Sequence, residues 1–344
     1  MSRSTLFMLI LVMMVILPIS NIKFPEINTL VYGFLGKDIT ETKILFLGDV
    51  MLGRYVETLI NKKGSTYPFI GMESLAGRYD QVVGNFEAPL SQDHKQTDVE
   101  SFNFSISTTS VDSIGTYFSI LSLANNHTFD KGEEGLAFTK DILTNKSVKT
   151  FGDPNVVDGT SVAVIPHGEQ TIALVAINAV TTLDSTSTIE LLSDLNTKSD
   201  MQIVYVHWGT EYKLEHSQDQ EGLARLLIDH GADAIIGHHP HVIQDIDIYK
   251  GAPIFYSLGN FVFDQYFDDN VQIGLGVELV LQNSELTYRL VPFTSKDSKS
   301  SPRLMTVDER SQLLIDLSSR SSPVIAEKLR ESGIIYIIDT LASL

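Results

Sequence analysis

Five short apolar runs in this chain each stop at a residue able to ligate a cation or move a proton. Lys43–Leu47 closes on Gly48-Asp49, and Tyr79–Val83 on Gly84-Asn85-Phe86-Glu87. Tyr117–Leu123 closes on Ala124-Asn125-Asn126-His127, Met201–Val206 on His207-Trp208-Gly209, and Ala232–Ile236 on Gly237-His238-His239-Pro240-His241-Val242-Ile243-Gln244. Runs of this length and apolarity read as buried strands. In α/β sheets the carboxyl ends of strands converge on one crevice. Five such ends therefore predict Asp, Glu, Asn and His gathered around one ion-sized space. Each piece has a plainer reading. Asp49 can cap the helix that follows, Asn125 and Asn126 can shape a turn, His127 can bond Asp130, and His207 can be a satisfied core histidine. His238 is expected to back the site or to face solvent.

The spacing between the runs supports the same class. Arg54–Lys62, Glu133–Asn145 and Glu221–His230 carry helical periodicity, and Ser161–Ile165 with Thr171–Ala176 reads as a hairpin turning at Pro166-His167-Gly168. Further strands are expected at Phe102–Ile106, Ile246–Tyr249, Pro253–Leu258, Gly274–Leu281 and Leu286–Pro292. Beyond a polar linker at Ser295–Ser301, Asp308–Leu317 and Pro323–Glu331 read as helices and Ile334–Ile338 as a strand. Alternating strand and helix makes the chain α/β. Strands that follow one another after Val162 imply a second sheet.

Charge and composition narrow the partners. The 344 residues carry a formal net charge of −18, which excludes a nucleic-acid partner because phosphate binding needs clustered Lys and Arg. An anionic partner is tolerable only through a cation in the cleft. There is no cysteine, so neither a disulfide framework nor thiolate chemistry is available. After Arg3, the almost wholly apolar Leu6–Ile19 has the pattern of a secretory signal. No small-x-small cleavage site follows, and Thr5–Ile22 just reaches the length of a membrane span. The expectation is an uncleaved anchor over residues 1–22 and a tether over 23–42, with the body outside the cytoplasm. The alternative is secretion after cleavage.

The motifs in order resemble those of the CapA family, the poly-γ-glutamate capsule synthesis proteins of bacteria and some archaea. They are Leu47-Gly48-Asp49-Val50-Met51-Leu52-Gly53-Arg54, Gly84-Asn85-Phe86-Glu87, Asn125-Asn126-His127 with Asp130 and Gly132, His207-Trp208-Gly209-Thr210-Glu211-Tyr212, Gly237–Gln244, and Tyr256-Ser257-Leu258-Gly259-Asn260-Phe261-Val262-Phe263-Asp264-Gln265. That family in turn resembles the calcineurin-like metallophosphoesterases. The resemblance implies a four-layer α/β/β/α sandwich of two mixed sheets flanked by helices over residues 43–294; residues 295–344 are expected as a helical extension packed on it.

It also implies a site. Asp49, Asn126, His207, His239 and His241 match metal ligands, and His127 matches a proton donor near the leaving group. Met51 stands where a histidine ligand would be, and a thioether suits a hard cation poorly. Asn85 replaces a bridging aspartate, for which Glu87 could substitute. Asn85, Glu211 and Asn260 are expected at the substrate. Oxygen and nitrogen ligands of this kind fit Mn, Fe, Zn or Mg. Such an ion polarises phosphoryl or carbonyl oxygens and acidifies bound water. The expected role is synthesis or export of an anionic surface polymer beside membrane-bound synthase subunits, on polymer or a phosphorylated substrate. The rivals are a secreted metal-dependent hydrolase, cleaving phosphoesters or amides, and a non-catalytic scaffold.

Overall fold

The computed structural model describes residues 41–75, 77–181, 183–282 and 285–337. The expected anchor and nearly all of the expected tether lie outside them. No helix among the described residues is long and apolar enough to cross a membrane.

Two mixed sheets carry the fold. The first contains β1 (Glu41–Val50), β2 (Gln81–Phe86), β3 (Ile120–Ser122) and β4 (Lys149–Phe151), parallel and side by side. On the other edge of β1 run β12 (Ile273–Gln282), β13 (Glu285–Thr294) and β14 (Arg303–Leu304), all antiparallel. The second sheet has the order β5 (Val162–His167), β6 (Gln170–Asn178), β7 (Met201–His207), β8 (Ala234–His238), β10 (Ala252–Phe255) and β9 (Ile246–Tyr249). Its inner strands β6, β7, β8 and β10 are parallel. That is why Ile203–Val206 and Ala234–Ile236 carry no charged or amide side chain: a strand covered on both faces has no solvent side.

Alternation along each strand sorts the core into layers. Ile44 and Phe46 of β1 meet Leu174, Ile203 and Ile236 of the second sheet between the sheets. Leu45 and Leu47 point the other way, onto α1 (Arg54–Lys63) and α3 (Gly132–Asn145) through Val56, Ile60, Leu136 and Leu143. The outer face of the second sheet packs Val175 and Val204 against α4 (Ser185–Leu195) and α5 (Gln218–Asp229) through Leu192, Leu195, Ala224 and Leu227. The result is the four-layer α/β/β/α sandwich. A single helical turn, α2 (Ile114–Tyr117), precedes β3.

The C-terminal segment is part of the core. Leu313, Leu314 and Leu317 of α6 (Val307–Arg320) and Ile325 and Leu329 of α7 (Pro323–Glu331) join the inter-sheet cluster, and β15 (Ile334–Ile337) pairs with β13. One local expectation fails, and two elements go beyond what the sequence marks. Phe102–Ile106 is a loop that meets the rest of the chain through a bridge from Ile106 to Leu90. α4 is a helix that its polar, β-branched sequence conceals, started by Asp184 accepting from the amides of Thr186 and Ser187. Asn260–Val262 forms β11, for which the sequence carries no strand signal, and pairs parallel with β1.

Candidate functional site

Register builds the floor of the cleft. β1 sets Asp49 directly beside Asn260 of β11 on one side and Asn85 of β2 on the other. In the second sheet the same logic pairs His207 with His238. The glycines ahead of these residues allow the close approach. A Cβ on Gly48 would sit 2.0 Å from the Gly259 carbonyl oxygen, and one on Gly237 would sit 2.0 Å from that of Tyr256. The Tyr205 hydroxyl then donates to the Leu47 carbonyl at 2.7 Å, tying the two sheets together just beneath the site.

Asp49 is fully buried. It accepts from Asn85 Nδ2 at 2.8 Å, and His241 Nδ1 lies 3.2 Å from its second oxygen. His238 Nδ1 stands 3.3 Å from Asp49 Oδ1, and the ring lies against Tyr205 with centroids 4.1 Å apart. His238 is therefore a buried neighbour of Asp49, and the solvent-facing alternative is excluded. Burial pushes the Asp49 carboxyl up, but the imidazoles of His238 and His241 outweigh it and hold it well below the usual carboxylate range. Glu87, also fully buried, goes the other way. Burial raises it first, and the negative charges of Asp49 and Glu211 raise it further.

Glu87 Oε1 has no hydrogen-bond partner among the described residues, although it is 3.8 Å from His207 Nε2 and 3.7 Å from His241 Nε2. An orphaned carboxylate oxygen between imidazoles is costly unless something binds there. Three overlapping triads bring ligand atoms within 4.8 Å of one another: Glu87, His207 and His239; Glu211, His239 and His241; Asp49, Glu87 and His241. Burial and adjacent imidazoles push His207 well below the ordinary histidine value and His239 down to about 4. The neutral ring that results is the form that ligates a metal. This donor set of carboxylate oxygen and imidazole nitrogen fits a divalent cation.

Backbone strain gathers at the same place. Arg54, Tyr212, His239 and His241 all have positive φ without being glycine. That conformation persists only where the surroundings impose it, and it concentrates at functional sites.

Asn126 Oδ1 lies 2.8 Å from His207 Nε2, on the inner side of the Asn-Asn-His turn. His127 stands beyond it, with Nδ1 2.9 Å from Asp130 Oδ2 and its ring stacked on Phe104 at 4.0 Å. Asn85 and Asn260 were expected to meet substrate, yet both amides are engaged internally. Asn85 faces Asp49 and His207 while accepting from Asn125. Asn260 faces His241, Gln265 and the Val271 carbonyl. Met51 is fully buried, its sulfur accepting from the Gly53 amide at 3.1 Å.

Sequence reasoning passed over one pair. Arg54 and Asp264 form a buried ion pair, and the guanidinium lies over Phe104 at 4.8 Å and Phe263 at 5.5 Å. Arg54 also donates to the Ser101 carbonyl, so it fastens the loop that brings Phe104 onto His127. Both residues stand inside motifs already singled out, and that position was the available signal. Tyr212 and Phe267 form an exposed edge-to-face pair at the rim, with the Tyr212 hydroxyl accepting from Gln265.

The model of the family described as "Bacterial capsule synthesis protein PGA_cap" matches residues 43–265, which include every cleft residue named above except Phe267 and Val271. The PGA biosynthesis protein CapA of Bacillus subtilis (strain 168) is 30% identical over 313 residues, covering 86% of this chain and 82% of that protein. The capsule biosynthesis protein CapA of Bacillus anthracis is 32% identical over 296 residues, covering 76% and 70%. A solved structure described as a novel phosphatase from Mycoplasma pneumoniae superposes with a TM-score of 0.47 at 17% identity, over 71% of this chain and 89% of that one. That last likeness is too distant to speak to activity. The two CapA proteins and the match across residues 43–265 are not, and they place this chain in the bacterial capsule synthesis family, PGA_cap.

Proposed function

We propose that this chain serves the synthesis or export of an anionic cell-surface polymer, poly-γ-glutamate. Its body works outside the cytoplasm, anchored by the apolar segment at residues 1–22, next to membrane-bound synthase subunits. Family membership supports the polymer, and two relatives bear names that speak of PGA or capsule biosynthesis. The observation that carries the chemistry is the orphaned Glu87 oxygen among His207, His239 and His241. A divalent ion bound there would polarise a phosphoryl or carbonyl oxygen. It would also let a chain with net charge −18 accept carboxylates or phosphates of a polymer or its precursor.

The chain's own groups have distinct parts. Asp49 fixes His238 and His241 from below, and Asn260 orients His241 from the side. Asp130 and Phe104 hold His127 by Nδ1 and by its face, which leaves Nε2 to serve, when the ring carries a second proton, as the proton donor to a leaving oxygen or nitrogen. That last arrangement favours a second reading, a secreted hydrolase acting on phosphoesters or γ-glutamyl amides.

Complementation separates the readings. In a strain whose own CapA gene is deleted, this chain is expected to restore surface polymer, and His239→Asn is expected to fail. Restoration by His239→Asn would mean a scaffold that needs no metal. Turnover of phosphodiesters or γ-glutamyl peptides by the purified full chain, abolished in His127→Ala, would establish the hydrolase. If the wild-type chain is stably expressed and no polymer returns, the polymer role falls.

A further inference from the structure

The amide groups around the cleft have orientations that can be read outward from the backbone, and they decide which imidazoles can bind a cation. The backbone amides of His127 and Thr128 donate to Asn125 Oδ1 at 3.1 and 3.0 Å. The other end of Asn125 is therefore its NH2 group, which donates to the Phe86 carbonyl at 2.9 Å and to Asn85 Oδ1 at 3.1 Å. Asn85 is fixed in turn. Its NH2 faces inward on Asp49 Oδ1 at 2.8 Å, His207 Nδ1 at 3.2 Å and Glu87 Oε2 at 3.5 Å, and its two hydrogens go to the two nearer acceptors. A neutral imidazole has one donor and one acceptor nitrogen. With Nδ1 accepting, the His207 proton sits on Nε2, where it is donated to Asn126 Oδ1 at 2.8 Å. Neither nitrogen of His207 keeps a lone pair for a metal.

His241 is held in the opposite tautomer. Asn260 gives its NH2 to the Val271 carbonyl at 3.0 Å and to Gln265 Oε1 at 2.9 Å, which turns Oδ1 toward His241 Nδ1 at 3.0 Å. Asp49 Oδ2 is a second acceptor 3.2 Å from the same nitrogen. His241 therefore carries its proton on Nδ1, and its Nε2 lone pair opens toward Glu87 Oε1 at 3.7 Å. His239 Nδ1 is buried and has no hydrogen-bond partner among the described residues. Glu211, His239 and His241 offer ligand atoms within 4.8 Å of one another.

We infer that the cleft takes a single divalent cation, held by Glu87, Glu211, His239 and His241. The Asn85 amide excludes His207 from the coordination and leaves it as an Nε2–H donor beside the ion. The inference rests on the metal reading above and narrows it. The Asn125–Asn85 relay is a positioning device, because its hydrogen bonds act through His207, Asp49 and Glu87.

The test uses the full chain, stripped with chelator and reloaded with Mn2+ or Zn2+ alone. One Mn2+ per chain by elemental analysis and a simple six-line EPR spectrum are expected. In long-range 15N imidazole spectra, Zn2+ should move the nitrogens of His239 and His241 while His207 keeps its Nε2–H pattern. Glu211→Gln should weaken Mn2+ binding by about tenfold or more. Asn85→Asp, which replaces the inward NH2 with a carboxylate oxygen, should raise the count to two ions. Two ions with a dinuclear EPR signal in the wild type, or loss of the His207 Nε2–H on Zn2+ binding, would overturn the inference while leaving the metal reading intact. So would an unchanged count in a folded Asn85→Asp, or unchanged affinity in Glu211→Gln. No bound metal at all would remove both. If Asn85→Asp does not fold, the wild-type spectra still decide.

Discussion

The two sheets contribute different chemistry to one cleft. The first supplies Asp49, Asn85, Glu87 and Asn125, carboxylates and amides that mostly bond one another across adjacent strand ends. The second supplies His207, His238, His239 and His241, imidazoles of which two have buried nitrogens without a hydrogen-bond partner among the described residues. One half is a nearly closed hydrogen-bond lattice. The other has binding capacity in reserve. Removing Asp49, Asn85 or Asn125 should chiefly cost stability, whereas removing His239 or His241 should chiefly cost ligand binding.

The largest expected effect is on Asp49. Asp49→Ala leaves the Asn85 amide and two buried imidazoles without their anion, and deleting one member of such a buried charged set costs about 3–5 kcal/mol. His239→Asn, which keeps a residue tolerant of positive φ, should cost about 1 kcal/mol. Urea unfolding of both variants without metal checks this. Equal losses would erase the distinction between the halves.

Metal linkage should show the reverse order. A cation binding only the folded chain stabilises it by about 2.7 kcal/mol at a hundred times its dissociation constant. Wild-type protein is expected to gain that increment with Mn2+ and lose it on chelation, while His239→Asn gains almost none. A full increment in His239→Asn would place the ion elsewhere and break the comparison.

Much of this was legible in the sequence, because a buried strand announces both its run and its end. Lys43–Leu47, Met201–Val206 and Ala232–Ile236 became β1, β7 and β8, and the polar residues that stop them meet in one cleft. What stayed hidden depends on tertiary partners. β11 is three residues long and exists because β1 lies beside it. Phe104 and Ile106 look like strand residues, but they are buried because a loop fastened by Arg54 presses them inward. His238 could not be placed from its neighbours in sequence, since Tyr205 and Asp49 fix it from two different sheets. Nor does any sequence pattern reveal which way a carboxamide points.

The smallest expected effect concerns how the second half of the cleft is held in place. The segment that carries Glu211 and Tyr212 is pinned at His216, whose Nδ1 lies 2.7 Å from Asp245 Oδ2 and whose ring stacks on Tyr256 at 3.9 Å. The bond to Asp245 raises His216 above its ordinary value of 6.5, against the effect of burial, and Glu221 and Asp247 act in the same direction. A histidine raised on folding contributes stability that is complete below its unfolded value and is lost as pH rises through its folded one. His207 and His239, lowered on folding, have the opposite sign: their contribution is lost as pH falls. The wild-type profile alone mixes the two, so the informative quantity is its difference from His216→Gln. That difference in unfolding free energy should be largest below the ordinary value of 6.5 and shrink as pH rises above it. A difference independent of pH would mean that His216 pins the segment by stacking on Tyr256, with its charge playing no part.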